Sequence, residues 1–177
     1  MKLDNTILEP VNGTYTIPGA DIGTDTVVVT VEKTAEYTVE VAEYVKADGQ
    51  SVFLVLVSGT PGDGNVFAYG NDAMFHSTKY NAYAYLVFSN KTLAEVKTEA
   101  AAQITEITGT ATEIDYTGDV NMSKLIDVND AQLVWNMYNA KYADFTIAKM
   151  EMFLRADMNG DKTINVSDAA AVVKSIK

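Results

Sequence analysis

The sequence predicts two domains, a mostly-β sandwich with one helix over residues 1–117 and a small all-α domain over residues 118–177. Three observations predict this division. Composition and charge change near Gly118, the first part is rich in short segments typical of strands, and the second part contains an internal repeat whose halves each lead into a helical pattern.

The overall composition indicates a folded, acidic protein. The 177 residues include 24 acidic and 13 basic side chains, for a net charge of −11, and 47% of them are hydrophobic, which is enough to fill a core. This charge disfavours nucleic acid and anionic membrane surfaces as partners. The longest apolar segments are far shorter than the ~20 residues that a membrane-inserted helix needs. The absence of cysteine excludes disulfides and zinc–thiolate sites.

The boundary near Gly118 follows from an unequal distribution of residue types. All three prolines and nine of the eleven glycines precede Thr110. Residues 1–118 hold 16 acidic and 6 basic side chains, a net of −10, whereas residues 119–177 hold 8 and 7, a net of −1. Because no Pro- or Ser-rich spacer precedes Gly118, we expect the two domains to lie close together. Residues 1–5 lack the apolar core of a signal peptide, so we expect the sequence to be an excised fragment.

Strand patterns dominate the first domain. Segments rich in β-branched and aromatic residues, bounded by Gly, Asp and Pro turn signals, occur at residues 26–31, 37–45, 52–57 and 82–88. Several short strands at this spacing predict a small sandwich of the immunoglobulin-like kind.

One helix is expected to interrupt these strands. Thr92 followed by Glu95 forms a candidate capping box at its start. Apolar residues then recur at helical spacing, and Thr108, Gly109 and Thr110 are expected to end the helix. The stripe consists of Leu93, Val96, Ala100, Ile104 and Ile107.

The second domain contains one unit used twice. Residues 119–138 and 157–176 align at an offset of 38, with eight of twenty positions identical. Oxygen-bearing side chains occur at positions 1, 3, 5, 9 and 12 of each unit. They are Asp119, Asn121, Ser123, Asp127 and Asp130 in the first unit, and Asp157, Asn159, Asp161, Asn165 and Asp168 in the second.

This spacing predicts two EF-hand-like calcium loops. Calcium takes about 6–8 oxygen ligands, and a loop of about twelve residues with oxygens at these positions surrounds one ion. Position 7 is expected to contribute its backbone carbonyl, from Leu125 and Thr163. Position 8, Ile126 or Ile164, is expected to tie one loop to the other. Mg²⁺ fits less well, because it requires a small octahedral site.

Position 6 departs from the usual loop pattern. Its backbone normally has a positive φ and is usually Gly, but here it is Lys124 and Lys162. A residue other than Gly costs on the order of 1 kcal/mol at such a position.

The paired motif D-x-N-x-[SD]-x-x-I-[DN]-x-x-D, with a helix after each loop, resembles a dockerin over residues 118–177. Residues 144–156 lie where the short middle helix of that family belongs. The resemblance implies a non-catalytic, extracellular module that binds a cohesin of a scaffoldin or cell-surface anchoring protein in a cellulosome. A β-rich segment directly upstream resembles the X-module of X-module–dockerin pairs, which implies that it stabilises the dockerin or adds contact area.

The resemblance also implies which residues contact the cohesin. Partner contacts in dockerins commonly come from the end of each loop and from one side of the helix that follows. These positions are Val128, Asn129, Gln132, Trp135, Asn136, Asn139 and Ala140 in the first unit, and Val166, Ser167, Ala170, Val173 and Lys174 in the second. Helical geometry places Ala131, Val134 and Tyr138 on the opposite, packing side.

Trp135 fits two interpretations, an anchor for the partner or part of the dockerin core. Because the two units carry different residues at equivalent surface positions, we expect one dominant binding orientation.

A different class of function is also compatible with the sequence. Aromatic residues of the first domain are candidates for a sugar-stacking platform, which would make the chain a calcium-stabilised carbohydrate-binding fragment of a secreted enzyme. They are Tyr69, Phe75, Tyr80, Tyr83 and Tyr85. Catalysis is not expected, since His76 is the only histidine and no nucleophile, P-loop or zinc-protease motif occurs.

Overall fold

The structure, a computed structural model, describes residues 2–3, 6–7, 36–46, 51–139 and 147–177. It divides into two compact units, Met1–Ala35 and Glu36–Lys177. In chain order the elements are β1 (Lys2–Leu3), β2 (Thr6–Ile7), β3 (Tyr37–Val45), β4 (Ser51–Gly59), β5 (Asn65–Tyr69), β6 (Asp72–Ala73), β7 (Phe75–Ser77), β8 (Ala82–Ser89), α1 (Leu93–Gln103), β9 (Ile104–Thr108), α2 (Val128–Tyr138), α3 (Ile147–Ala156) and α4 (Val166–Ser175).

The first unit is described only at two short strands. β1 and β2 pair in antiparallel register, with Lys2 opposite Ile7. The strand predicted at residues 26–31 lies outside the described residues. The domain boundary predicted between residues 117 and 118 falls inside the second unit, Glu36–Lys177, and stays a prediction.

An antiparallel sheet of four strands, in the order β3-β4-β8-β7, lies at the centre of the second unit. The strands predicted at residues 37–45, 52–57 and 82–88 are confirmed as β3, β4 and β8. Every side chain of residues 52–57 is buried, which means that both faces of β4 are covered.

Different elements cover the two faces of this sheet. Phe88 and Tyr83 of β8 point to opposite faces, because side chains alternate along a strand. The Phe88 ring lies 6.0 Å from that of Phe153 in α3. The Tyr83 ring lies 5.1 Å from that of Phe67 in β5. The helical region therefore packs on one face and a second sheet packs on the other.

The second sheet has three antiparallel strands in the order β6-β5-β9. Phe67 of β5 makes edge contacts with Tyr37 and Tyr83 across the two sheets. These sheets confirm that the first part of the chain is rich in β-strands. The immunoglobulin-like sandwich stays a prediction.

Helix α1 of the β-sheet region is shorter than predicted. It begins at the expected capping box, in which Thr92 and Glu95 each satisfy the other's backbone N–H. The prediction that it continues to Ile107 is wrong, since the chain becomes extended at Ile104, with φ −74° and ψ 123°. Residues 104–108 read Ile-Thr-Glu-Ile-Thr, so four of the five are β-branched, and their pairing with β5 outweighs the helical spacing of the isoleucines.

The helical region consists of α2, α3 and α4, with α2 packed against α4 and α3 against β8. The middle helix predicted at residues 144–156 is observed as α3, and residues 144–146 lie outside the described residues. The buried core of the helical region includes Val134, Met137, Leu154 and Val172. In the described part of the chain, no helix has the length and apolar character needed to cross a bilayer.

Tyr44 joins the sheet to the helical region. Its buried hydroxyl donates to the backbone oxygen of Phe153 at 2.8 Å, and its own carbonyl accepts from the Ile164 N–H at 2.9 Å. Burial raises the pKa of Tyr44 well above its ordinary value, with Asp157 adding to the effect, so the phenol stays neutral.

We predict that Tyr44→Phe lowers the free energy of unfolding by about 1–2 kcal/mol, because a buried hydrogen bond is lost while the ring is kept. Urea denaturation of the full chain measures this change. Tyr37→Phe, on the same strand but with a side chain more than one third exposed, is the matched control and should change stability by less than about 0.5 kcal/mol. Equal effects of the two substitutions would show that Tyr44 does not join the two regions.

Candidate metal centre

Each repeat unit folds into a loop that leads directly into a helix. Loop 1 (residues 119–130) runs into α2, and loop 2 (residues 157–168) runs into α4. Position 9 of each loop, Asp127 or Asn165, is the N-cap of the helix, and position 12, Asp130 or Asp168, completes a capping box. The helices therefore begin at position 10, and position 12 is already in the first turn, where a carboxylate is favoured by the helix dipole.

Backbone N–H groups hold the carboxylates of loop 2 in place. Asp157 accepts from the Gly160 N–H at 2.7 Å and from the Lys162 N–H at 2.8 Å, one on each oxygen. Asp168 accepts from the Met158 N–H at 2.9 Å on one oxygen and from the Asn165 N–H at 2.9 Å on the other. Both ends of the loop are thereby fixed by the same two side chains.

Loop 1 repeats this pattern. Asp119 accepts from the Ser123 and Lys124 N–H groups, each at 2.9 Å. Asp130 accepts from the Asn121 and Asp127 N–H groups, also at 2.9 Å. The shared geometry follows from the shared residues at positions 1 and 12.

Three carboxylates converge in loop 2. Oxygen atoms of Asp157, Asp161 and Asp168 all lie within 4.8 Å of one another. Two oxygens on opposite sides of one calcium ion are about 5 Å apart, so this spacing fits a shared cation. Asp157 and Asp168 are fully buried, and burying a carboxylate without a compensating positive charge is costly.

The carboxylates of loop 2 repel one another. Burial raises the pKa of Asp168, and the neighbouring Asp157 and Asp161 carboxylates add to the rise despite hydrogen bonds from backbone N–H groups. Partial burial also tends to raise the pKa of Asp161. Hydrogen bonds from Thr163 and Asn159 outweigh this effect, so the pKa of the Asp161 carboxyl is lowered. A divalent cation would relieve the repulsion among all three.

The residues of loop 2 therefore fit a calcium ion. Those that would hold it are Asp157, Asn159, Asp161, the Thr163 carbonyl, Asn165 and Asp168. In loop 1, Asp119 and Asp130 occupy the same places as Asp157 and Asp168. Ser123 stands where loop 2 has Asp161, and its hydroxyl lies 3.2 Å from the Leu125 carbonyl. The Asp127 carboxylate accepts from the Asn129 N–H as the N-cap of α2.

Two positions in each loop have a left-handed backbone. Position 6 has φ 71° at Lys124 and φ 70° at Lys162, as expected from the loop pattern. Position 4 has φ 60° at Met122 and φ 78° at Gly160. A Cβ on Gly160 would lie 2.9 Å from the Lys79 Cγ atom, so glycine here permits a close approach of the β-sheet region to loop 2.

The residues predicted to contact a partner lie on the outer sides of α2 and α4. Val128, Val166 and Val173 are more than half exposed, and Trp135 is 42% exposed. Trp135 is thus not a core residue, and its ring lies 5.9 Å from that of Tyr138 in an edge contact. The other predicted contact residues are exposed or partly exposed, namely Asn129, Gln132, Asn136, Asn139, Ser167, Ala170 and Lys174, whereas Ala140 lies outside the described residues.

The packing side of α2 differs at one position from the prediction. Val134 is buried as expected, but Tyr138 is 42% exposed and Met137 is buried in its place. Successive residues of a helix are rotated by about 100°, so Met137, seven residues after Asp130 and three after Val134, lies closer to the buried side of α2 than Tyr138 does.

Sequence reasoning missed the contacts between loop 2 and the β-sheet region. The backbone N–H of Ile164, at position 8 of loop 2, donates to the carbonyl oxygen of Tyr44 in β3, while the packing of its side chain on Ile126 stays a prediction. The Tyr80 hydroxyl donates to Asp157 at 2.5 Å, and Lys162 forms an ion pair with Glu40 at 2.6 Å. No local signal reveals these pairs, since 77 and 122 residues separate their members.

The aromatic residues considered as a sugar platform do not share one surface. Tyr83 and Tyr85 point to one face of β8, and Phe75 is paired with Ala84 and so points to the other. Tyr85 is buried, and its ring stacks on Tyr69 at 4.7 Å. Tyr80 is engaged with Asp157. His76 is paired with Tyr83 and lies on the same face, where its ring is 5.1 Å from that of Tyr83 and its Nδ1 is 2.7 Å from Glu113.

Comparison with protein families identifies the helical region. Residues 117–177 match the model of the dockerin type I domain, which confirms the resemblance to dockerins. A dockerin domain implies calcium binding and calcium-dependent docking to a cohesin in a cellulosome. Searches of curated proteins and of solved structures found no match.

We predict that Gly160→Ala lowers the free energy of unfolding by about 1–2 kcal/mol, because a Cβ at φ 78° is strained and would also crowd Lys79. Met122→Ala, at the same position of loop 1, exchanges one non-glycine residue for another and should cost less than about 0.5 kcal/mol. Urea denaturation in saturating calcium measures both changes. A Gly160 variant as stable as the Met122 variant would argue against the close approach.

Proposed function

We propose that this protein is a non-catalytic docking module that attaches its parent chain to a cohesin of a scaffoldin or of a cell-surface anchoring protein. The β-sheet region upstream stabilises the dockerin, as an X-module does. The complex it joins is an extracellular, cellulosome-type assembly. The observation that carries the proposal is the pair of packed helices, each fixed at its start by an oxygen-rich loop and each presenting apolar side chains to solvent.

The exposed sides of α2 and α4 are suited to protein recognition. We call Val128, Gln132, Trp135, Val166 and Val173 the docking surface, and four of these five are large apolar residues that a monomer has no reason to expose together. Trp135 is the residue type most often found as an anchor in interfaces, because its large ring buries much area at little entropic cost. Gln132 and Asn136, linked by a 3.0 Å hydrogen bond, add polar contacts beside it.

Calcium supports this surface without being part of it. When bound, the ion neutralises the carboxylates of a loop and so turns its binding energy into folding free energy. The chain's own residues then fix the helices, since Asp130 and Asp168 bond to the backbone of the loop and also sit in the first turn of α2 and α4. We propose one ion for each loop.

The β-sheet region supports the dockerin by direct contact. Tyr44 bonds to α3 and to loop 2, and Arg155 of α3 lies 3.3 Å from Asp115. Phe88 packs on Phe153. A helical region of about sixty residues buries little apolar surface alone, so a sheet against α3 adds to its stability.

The two halves of the docking surface differ, and we propose one dominant binding orientation. Trp135 and Val173 occupy equivalent positions in the repeat, as do Gln132 and Ala170. A cohesin that accommodates the Trp135 ring in one orientation meets the smaller Val173 in the other. The alternative function, carbohydrate binding by the upstream region, is less well supported because its aromatic rings are spread over both faces of the sheet.

We predict that removing calcium with EDTA abolishes cohesin binding by the full chain and reduces its helical circular dichroism signal. Uncompensated carboxylate repulsion then opposes folding of both loops. Isothermal titration against a panel of cohesins, with and without chelator, measures the effect, and added calcium should restore binding where equal magnesium does not. Unchanged affinity in EDTA would rule out the proposed role of the ion.

We predict that Trp135→Ala weakens binding to the cognate cohesin by at least about tenfold, because a central aromatic anchor is removed. Val173→Ala, at the equivalent position of α4, should have a clearly different effect if one orientation dominates. Lys97→Ala on α1, also exposed, serves as a control and should leave affinity unchanged. Equal losses from the Trp135 and Val173 variants would indicate two orientations of similar affinity.

A further inference from the structure

We propose that Tyr80 of the β-sheet region is a positioning residue for the cation of loop 2, so that this ion and the contact between the two regions stabilise each other. The inference rests on the calcium-binding part of the proposed function and goes beyond it. It assigns to one residue outside the dockerin a role in one of the two loops only.

The hydrogen bonds of Asp157 carry this inference. One of its carboxylate oxygens accepts from the Gly160 N–H at 2.7 Å. The other accepts from the Lys162 N–H at 2.8 Å and from the Tyr80 hydroxyl at 2.5 Å. Two of the three donors belong to loop 2, and the third comes from 77 residues upstream. Asp157 is fully buried, so these donors determine where its oxygens point.

Tyr80 is itself held in position by its surroundings. It follows β7, and its backbone N–H bonds to the hydroxyl of the buried Ser77 at 3.2 Å. That hydroxyl also lies 2.7 Å from the Tyr116 hydroxyl, and the Tyr80 and Tyr116 rings meet edge to face at 6.5 Å.

A second contact from the same turn fixes the backbone at the start of loop 2. The Lys79 ammonium donates to the carbonyl oxygen of Asp157 at 3.2 Å and to that of Met158. It also lies 4.1 Å above the Tyr116 ring. Lys79 and Tyr80 thus constrain both the main chain and the side chain of the first residue of the loop.

Loop 1 has no counterpart of Tyr80 among the residues that the structure describes. The Asp119 carboxylate accepts from Ser123 and Lys124, and the Asp130 carboxylate accepts from Asn121 and Asp127, all within loop 1. The bond that Arg155 donates from outside loop 1 goes to the backbone oxygen of Asp119 and not to its carboxylate. The two loops therefore share the same internal hydrogen bonds, but only the first carboxylate of loop 2 also accepts a hydrogen bond from a described residue of the β-sheet region.

This difference has a thermodynamic consequence. Groups that orient a metal ligand through a hydrogen bond commonly change metal affinity by about 10- to 100-fold when they are removed. Coupling of this kind is reciprocal, so an ion in loop 2 also strengthens the contact of Tyr80 and Lys79 with that loop. Loss of calcium from loop 2 should loosen the joint between the two regions, whereas loss from loop 1 should not.

The test is a calcium titration of the full chain and of its Tyr80→Phe variant, followed by NMR. The Ser123 and Lys124 amides report on loop 1, and the Gly160 and Lys162 amides report on loop 2. Tyr80→Phe should weaken calcium binding in loop 2 by about 10- to 100-fold and leave loop 1 within about twofold. Tyr85→Phe, which removes a hydroxyl that donates to Asp72 and not to loop 2 or to the residues around Tyr80, should change neither loop.

Several outcomes would overturn the proposal: unchanged affinity in loop 2, equal losses in both loops, or an equal effect of Tyr85→Phe. In the unchanged chain, the Cζ resonance of Tyr80 should shift together with the loop 2 amides during titration, and a shift that follows loop 1 would also count against it. This second measurement applies even if the variant does not fold. Cohesin binding is measured separately, so its failure would refute the proposed function while the loop-specific effect of Tyr80 stands.

Discussion

Two carboxylates buried at the base of loop 2, Asp157 and Asp168, are the constraint on which the helical region depends. They organise the loop by accepting its backbone N–H groups, and Asp168 also lies in the first turn of α4. Their closeness to Asp161 makes the same arrangement unfavourable without a cation. The carboxylates that shape the loop are thus also those whose mutual repulsion a bound cation would relieve, and one of them lies at the start of α4.

The central sheet connects this constraint to the rest of the chain. Residues 52–57 are buried on both faces because a second sheet covers one side and the helical region covers the other. Tyr44, Lys79 and Tyr80 then extend from the sheet to α3 and loop 2. The β-sheet region and the dockerin domain therefore share part of one core, while the outer sides of α2 and α4 remain exposed.

Features encoded within about a dozen residues were predictable from the sequence, and features that join distant residues were not. The loop spacing, the positive φ at Lys124 and Lys162, and the capping box at Thr92 are local, and the structure contains each of them. Ile104 and Ile107 have a helical spacing, and only the pairing with β5 makes residues 104–108 a strand. The contacts of Tyr80 and Glu40 with loop 2 span 77 and 122 residues, so no sequence motif could indicate them.

Calorimetric titration of calcium into the chelator-treated full chain is the measurement that bears most closely on these conclusions. Two ions per chain should bind, with a gain in helical signal as α2 and α4 become fixed. A chain that takes up no calcium yet keeps its helices and its affinity for a cohesin would refute the role assigned here to the buried carboxylates.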